Sequence, residues 1–567
     1  MVTKESEKVL SWVIAVGSAA VTCFVWVGGV TDPVNAPKLF LLGAVGFAVL
    51  FLVLKFGLAK LWADFRASLI LSVLFVVFLF TSSSFSNAPF VQTFYGAYGR
   101  NTGVLAYLSL VAIFLGTLVL NHKDSHKRVL NLFVIAGLLN ILYCLWVLAF
   151  GDPIPWNNTY KRILGLLGNP NFISSFLGML TGVVSALVLE PLRSLRYRLY
   201  LIVLLLFSIF LIYKSGSIQG IFVALAGVAI VIFFWIRSRY KAILQISYLT
   251  LATVTSIAVV LGMLQKGPFS FVYKKSVSLR GSYWNAGLNM GESHPLTGVG
   301  MDTYGDWYRS ARPPVALIDT PGATVLTNAS HNVAIDLFAS GGYPLFLTYL
   351  AILALAAKAV FNLTRLSKKF DVIAVSLTVA WVGYLAQSLI SINQIGLAIW
   401  GWVLSGLLIS YEKISRDNLA VESPSSHSKR VDKKAKSAGQ FISPQLIAGI
   451  GMMVGSILAV PPMASDSKWY NASQARDINT FQESLVSGYL NPLNSPRIAN
   501  AALILQNSNF PAEAREYALK GIEFNPDYFE SYYMLYMLPN STEQEKELAM
   551  ANMKRIDPNN PDLLKLR

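Results

Sequence analysis

Residues 36–56 read APKLFLLGAVGFAVLFLVLKF, with charge only at Lys38 and Lys55, close to the two ends. A helix needs about 20 such residues to cross the hydrocarbon layer of a bilayer. Lipid satisfies no backbone polar group, so a run of this kind crosses as a helix. Comparable apolar runs lie at 9–30, 67–82, 102–121, 129–150, 170–189, 197–213, 217–236, 242–264, 331–361, 372–391, 395–412 and 444–464. The fold class is therefore all-α, a polytopic integral membrane protein of about 13 transmembrane helices. Composition agrees: of 567 residues, 54% are hydrophobic and only 13% charged, about half the charge of a soluble domain. A soluble enzyme, a disordered chain and a secreted disulfide scaffold are excluded. Cys23 and Cys144 both fall inside apolar runs and read as small core hydrophobes.

The 46 Lys and Arg against 30 Asp and Glu give a net charge of +16. Where they sit decides their meaning, because cytoplasmic loops collect Lys and Arg. The loops alternate, and one set holds 25 of the 46, including Lys4, Lys8, Lys55, Lys60, Arg66, Lys123 and Arg193. That places the N-terminus in the cytoplasm and, with an odd number of spans, the C-terminal tail outside. The run SKRVDKKAKS at 428–437 reads as an anchor against anionic lipid, so nucleic acid is not a partner. The first run lacks a small-residue cleavage pattern and reads as a retained helix in the cytoplasmic (inner) membrane of a bacterium.

The chain divides into a membrane domain at 1–412, which includes a large external loop at 265–330, and a basic linker at 413–443. A final span follows at 444–464, and then an external tail at 465–567. In the tail, Asn491-Pro492, Asn525-Pro526 and Asp557-Pro558 recur at near-constant spacing. Between them lie helical patterns such as EAREYALKGIEF. The period resembles that of tetratricopeptide helix pairs, without that consensus's Trp and Gly positions. It reads as a small helical repeat domain that docks a protein partner.

The chemistry concentrates at 272–332. Arg280, Arg309 and Arg312 offer planar forks suited to phosphate oxygens, and His331 can take a proton from a hydroxyl at neutral pH. Trp284 follows Arg280 in an aromatic segment, and Asn332 adjoins His331. Arg309, Arg312, Trp284 and Asn332 are candidate acceptor or loop contacts, with plain solvated loop charges the alternative for the two arginines. Gly168-Asn169-Pro170-Asn171 reads first as a turn and helix start. Asp336, five residues past His331, falls on another helix face.

Arg280-x3-Trp284, His294-Pro295-Leu296, Gly298-Val299-Gly300, Ser330-His331-Asn332 and Gly341-Gly342, in that order, resemble the O-antigen ligase superfamily. That group contains lipopolysaccharide O-antigen ligases, Wzy-type polymerases and protein O-oligosaccharyltransferases. Pro37-Lys38, Gly99-Arg100-x2-Gly103 and Arg162 with the Gly168–Asn171 turn fit the same pattern, and the resemblance covers about 30–412. It implies a glycosyltransferase C-like fold. It also implies inverting transfer of a glycan from an undecaprenyl-pyrophosphate carrier to an acceptor hydroxyl at the outer membrane face, with no cofactor and no metal required. By the resemblance His331 is the base or acceptor-positioning residue and Arg280 holds the donor pyrophosphate, with Arg162 and Arg100 as further cations along the donor groove. The family's Ser-Arg-Gly is replaced here by Lys214-Ser215-Gly216-Ser217-Ile218-Gln219-Gly220, which leaves that phosphate contact to Gln219 or Lys214. The acceptor stays open between glycan, lipid and protein. A lipid-linked glycan flippase and a non-catalytic scaffold are the competing readings; neither internal repeats nor buried acids support the first, and the second leaves Arg280 and His331 unexplained.

Overall fold

The structure is a computed structural model describing residues 2–155, 158–191, 193–270, 275–319, 325–366, 368–422, 442–475 and 477–564. The run 428–437 lies outside the described residues. Each apolar run carries a helix. Among the described residues ten helices, from Asn35–Asp64 to Pro444–Gln474, are long and apolar enough to span a membrane. Val104–Val119 and Val372–Ser388 are apolar but shorter, and Lys4–Cys23 has Glu5 and Glu7 in its first turn.

Burial sorts these helices. Ile395–Glu422 runs through the centre, with Trp400, Leu404 and Leu407 sealed from solvent. Ala242–Met263 lies at the periphery, where Val254, Ile257 and Val260 are more than half exposed, as a lipid-facing helix must be. Lys38 is the exception inside this apolar mass. It is fully buried, and its ammonium donates to the carbonyls of Val21, Thr22 and Phe24 at 2.9, 2.7 and 2.9 Å. It thus satisfies orphan carbonyls at the end of Lys4–Cys23.

The run 331–361 is one candidate span, Val333–Leu366, but it is not a continuous helix. The helix starts at Val333 and breaks at Gly342 (φ 61°, ψ −163°). The segment 294–300 fills the break: Tyr343 N–H donates to Pro295 O (2.8 Å), Val299 N–H to Ala339 O (2.9 Å) and Gly300 N–H to Ser340 O (3.0 Å). A Cβ on Gly298 would stand 2.2 Å from the Ser340 backbone, and one on Gly342 2.4 Å from Pro295 O. Both are positive-φ positions where only glycine fits without strain. The large loop contains the helices Lys275–Ser293 and Tyr304–Ala311.

Pro444–Gln474 packs along Asn35–Asp64 across a seam of small residues. A Cβ on Gly455 would lie 2.2 Å from Gly43 O, and one on Gly451 2.5 Å from Phe47 O. Backbones this close gain dispersion contacts that lipid does not offer. Beyond this helix the tail forms Ser495–Asn507, Pro511–Phe524, Phe529–Met537 and Glu543–Ile556, each packed on the next around Ala501, Ala518, Leu535 and Met553. Thr542 and Glu545 close a capping box at the start of the last helix.

Candidate functional site

The site is built at the end of the helix bundle that carries the tail. His331 lies two residues before its helix in a left-handed conformation (φ 59°), which costs a non-glycine residue of order 1 kcal/mol. Its neighbours hold it there. Ser330, fully buried, accepts from Asn332 N–H (3.1 Å), donates to Asn332 O (2.8 Å) and gives its own N–H to Asp336 (2.7 Å). Asn332 caps the helix, accepting from Ala334 and Ile335 N–H at 3.0 and 3.2 Å, and donates to Leu389 O. Asn332 is therefore the cap of this helix.

Arg280 and Tyr283 sit one turn apart on Lys275–Ser293, the spacing that puts two side chains on one face. The Tyr283 ring stacks on His331 at 5.5 Å and 27°. Burial first, then the charges of Arg280 and Arg100, push the His331 imidazole down to about 4, so it is neutral near pH 7. Burial likewise lowers the Arg280 guanidinium. Tyr283 escaped the sequence reading as a site residue, although its i+3 offset from Arg280 was visible.

Arg100 lines a cavity of about 360 Å³ together with Asn35, Gly168 and Asn393, but its guanidinium is already engaged within the protein. Its guanidinium pairs with Asp302 at 3.3 Å and Asp336 at 3.8 Å and donates to Asn328 O. Asp302 also accepts from Ala97 N–H, Thr102 N–H and Thr102 Oγ1 at 2.9, 3.1 and 3.1 Å. Loop 96–102 is thereby fastened to the large loop. Two isolated charges at this depth are costly, and a hydrogen-bonded pair is the form that survives. Asp336 faces Arg100 and makes no bond to His331, as its helical offset implied.

Arg309 and Arg312 belong to the tail. Arg309 pairs with Glu530 (2.6 Å) and Asp557 (3.3 Å) and lies 3.9 Å over the Phe529 ring. Arg312 reaches the same Asp557, itself sealed from solvent, at 2.7 Å. Their charge is thus neutralised inside the protein, and of the two Arg309 also lines the cavity beside His331. The recurrent Asx-Pro pairs do the holding, because Asn525 also reaches Asp306 (3.3 Å) and Gln92 (3.5 Å). Asp466, at the far end of Pro444–Gln474, adds a further tie. It accepts from Thr31 and Asp32 N–H (2.8 Å each), Tyr98 Oη (3.1 Å) and Arg497 (2.6 Å).

Arg162, Lys214 and Gln219 form a separate group. Arg162 donates to Gly216 O at 2.9 Å and Lys214 lies 5.6 Å over Phe210, exposed. Gln219 is buried, and neither end of its carboxamide has a partner among the described residues. No hydrogen bond or ion pair joins this group to His331 or Arg280 among the described residues. The Gly168–Asn171 turn is structural: Asn169 caps Pro170–Val188 through Asn171 N–H (2.9 Å). The Trp284 indole N–H is buried with no partner among the described residues.

His331 opens on a cavity of about 530 Å³ walled by loop 95–101, Tyr304–Ala311 and the tail residues 492–497 and 527–530. Among the described residues no three His, Cys, Asp or Glu gather as metal ligands. Residues 173–350 match the family model of the O-antigen ligase domain. That stretch contains Lys214, Gln219, Arg280 and His331 and leaves Arg100, Arg162 and the tail outside. No curated protein matches the chain.

Proposed function

We propose that this O-antigen ligase domain transfers a glycan from a lipid-pyrophosphate carrier, of the undecaprenyl type, to an acceptor hydroxyl. The observation that carries the reading is a contrast among arginines. Arg100, Arg309, Arg312 and Arg497 are all neutralised by carboxylates, whereas Arg280 has no carboxylate partner among the described residues and acts on His331 electrostatically. A guanidinium left unpaired beside a neutral imidazole suits an incoming anion.

In this mechanism the acceptor oxygen attacks the anomeric carbon as the C–O bond to the pyrophosphate breaks, with inversion at that carbon. The electron pair leaves on the pyrophosphate, whose charge Arg280 stabilises as it develops. The hydroxyl proton passes to His331. Burial and two guanidinium charges hold His331 at about 4, which makes it a weak base. A bound pyrophosphate offsets those charges and brings the imidazole toward the range where a base works at neutral pH.

Arg280→Ala removes one charged, bidentate contact worth about 1.5–3 kcal/mol, so donor affinity in proteoliposomes is expected to fall between about tenfold and a hundredfold. Unchanged affinity for an undecaprenyl-pyrophosphate glycan overturns the donor role. The alternation of loop charges supports an outer-face position for the tail and the site. Protease added to intact spheroplasts is then expected to cut the tail, and full protection there overturns the sidedness.

A further inference from the structure

We infer that the cavity between His331 and the tail is the acceptor site, that the tail builds half of it, and that its ligand is the uncharged hydroxyl-bearing end of a glycan. The inference rests on the transfer reading above and names the acceptor that the reading leaves open.

Three observations converge. The first is position: His331 is on the wall of the cavity, and Arg280, near enough to act on it electrostatically, is not. A base that takes a proton from the acceptor has to face the acceptor. The second is charge. The ionic side chains on the wall are already matched within the protein: Arg309 by Glu530 and Asp557, Arg497 by Asp466, Asp302 by Arg100, and Asp527 by Arg555 at 2.7 Å. The remaining acid, Asp306, is pushed up to about 7 by burial against the bonds from Gln92 and Asn525. A wall so balanced offers nothing to a phosphorylated ligand and costs a neutral one no desolvated charge.

The third is an unmet acceptor. Asn101 lines the cavity, is only 4% exposed, and its carboxamide oxygen has no hydrogen-bond partner among the described residues. A buried carbonyl oxygen is rarely left so, and what completes it is an O–H or N–H donor from a ligand. Tyr95 and Tyr528 line the same cavity. Aromatic rings and a lone acceptor in one cavity suit a sugar ring, which has an apolar C–H side and hydroxyls round its edge.

The test uses the full chain in detergent, without donor, on an array carrying neutral oligosaccharides, phosphorylated oligosaccharides and Ser/Thr-containing peptides. Retention is expected on the neutral glycans, and to drop at least tenfold in Asn101→Gly. That change keeps the left-handed backbone at φ 57° and removes only the carboxamide. Tyr528→Leu, made on the tail, is expected to give the same loss and serves if the first variant does not fold. Arg280→Ala, unable to hold the donor, is expected to keep glycan retention. Preference for peptides or phosphorylated glycans, no retention of any class, wild-type binding by both cavity variants, or loss of retention in Arg280→Ala overturns the inference. Donor affinity measured on the same samples reports separately on the transfer reading.

Discussion

His331→Asn is expected to lower glycan transfer by about 10²- to 10⁴-fold, the usual contribution of a positioned general base, with donor affinity little changed. Asparagine is the informative replacement because the backbone at 331 is left-handed, which Asn tolerates and Ala resists. His331→Ala is expected to match it in rate and to lose further stability of order 1 kcal/mol. The pH profile gives an independent sign. An imidazole titrating at about 4 is neutral and competent above that value and protonated below it. The acid limb of kcat/KM therefore falls as pH drops through about 4, and the same limb of kcat lies higher because bound donor raises the group. Reconstitution with purified lipid-linked glycan checks both. Full transfer by a well-folded His331→Asn removes the residue from the mechanism.

Asp466→Ala is expected to release the tail. The change leaves Arg497 buried beside no counter-charge and orphans the N–H groups of Thr31 and Asp32. Breaking one side of a buried pair costs about 3–5 kcal/mol. The helix bundle has its own core and does not depend on this tie. Limited proteolysis of the purified protein is then expected to excise residues beyond the 444–474 helix while the bundle stays intact. The double change Asp466→Ala with Arg497→Leu is expected to recover part of the resistance, because it removes the stranded charge as well. A tail as resistant as wild type in Asp466→Ala refutes the docking role.

The helices were legible because each apolar run is long, and lipid forces such runs into one conformation. The helix Pro511–Phe524 was legible from the pattern EAREYALKGIEF. The break at Gly342 was not, since Val333–Leu366 is apolar on both sides of it; only the distant 294–300 segment, docking into the gap, requires it. The site divides in the same way. Arg280 and His331 stand out as polar residues beside apolar helices, and their neighbourhood is visible in local sequence. The fates of Arg100, Arg309 and Arg312 were hidden, because their partners lie 200 or more positions away, at Asp302, Glu530 and Asp557. A cation's count can be read from sequence, but whether its charge is already neutralised depends on the fold.

The glycine seam has a consequence for the order of biosynthesis. The helix 444–474 docks on 35–64, an element made some four hundred residues earlier, so this contact closes a very long loop and forms late. Until it forms, residues 492–497 and 527–530 are not positioned to wall the chamber beside His331. A ribosome that has produced residues 173–350, the stretch that matches the O-antigen ligase model, has therefore made both candidate reacting groups and part of the vessel around them. The unfinished chain carries an open hollow in which any hydroxyl, water included, has the same access as the proper acceptor. Completion of the tail is what turns that hollow into a selective compartment.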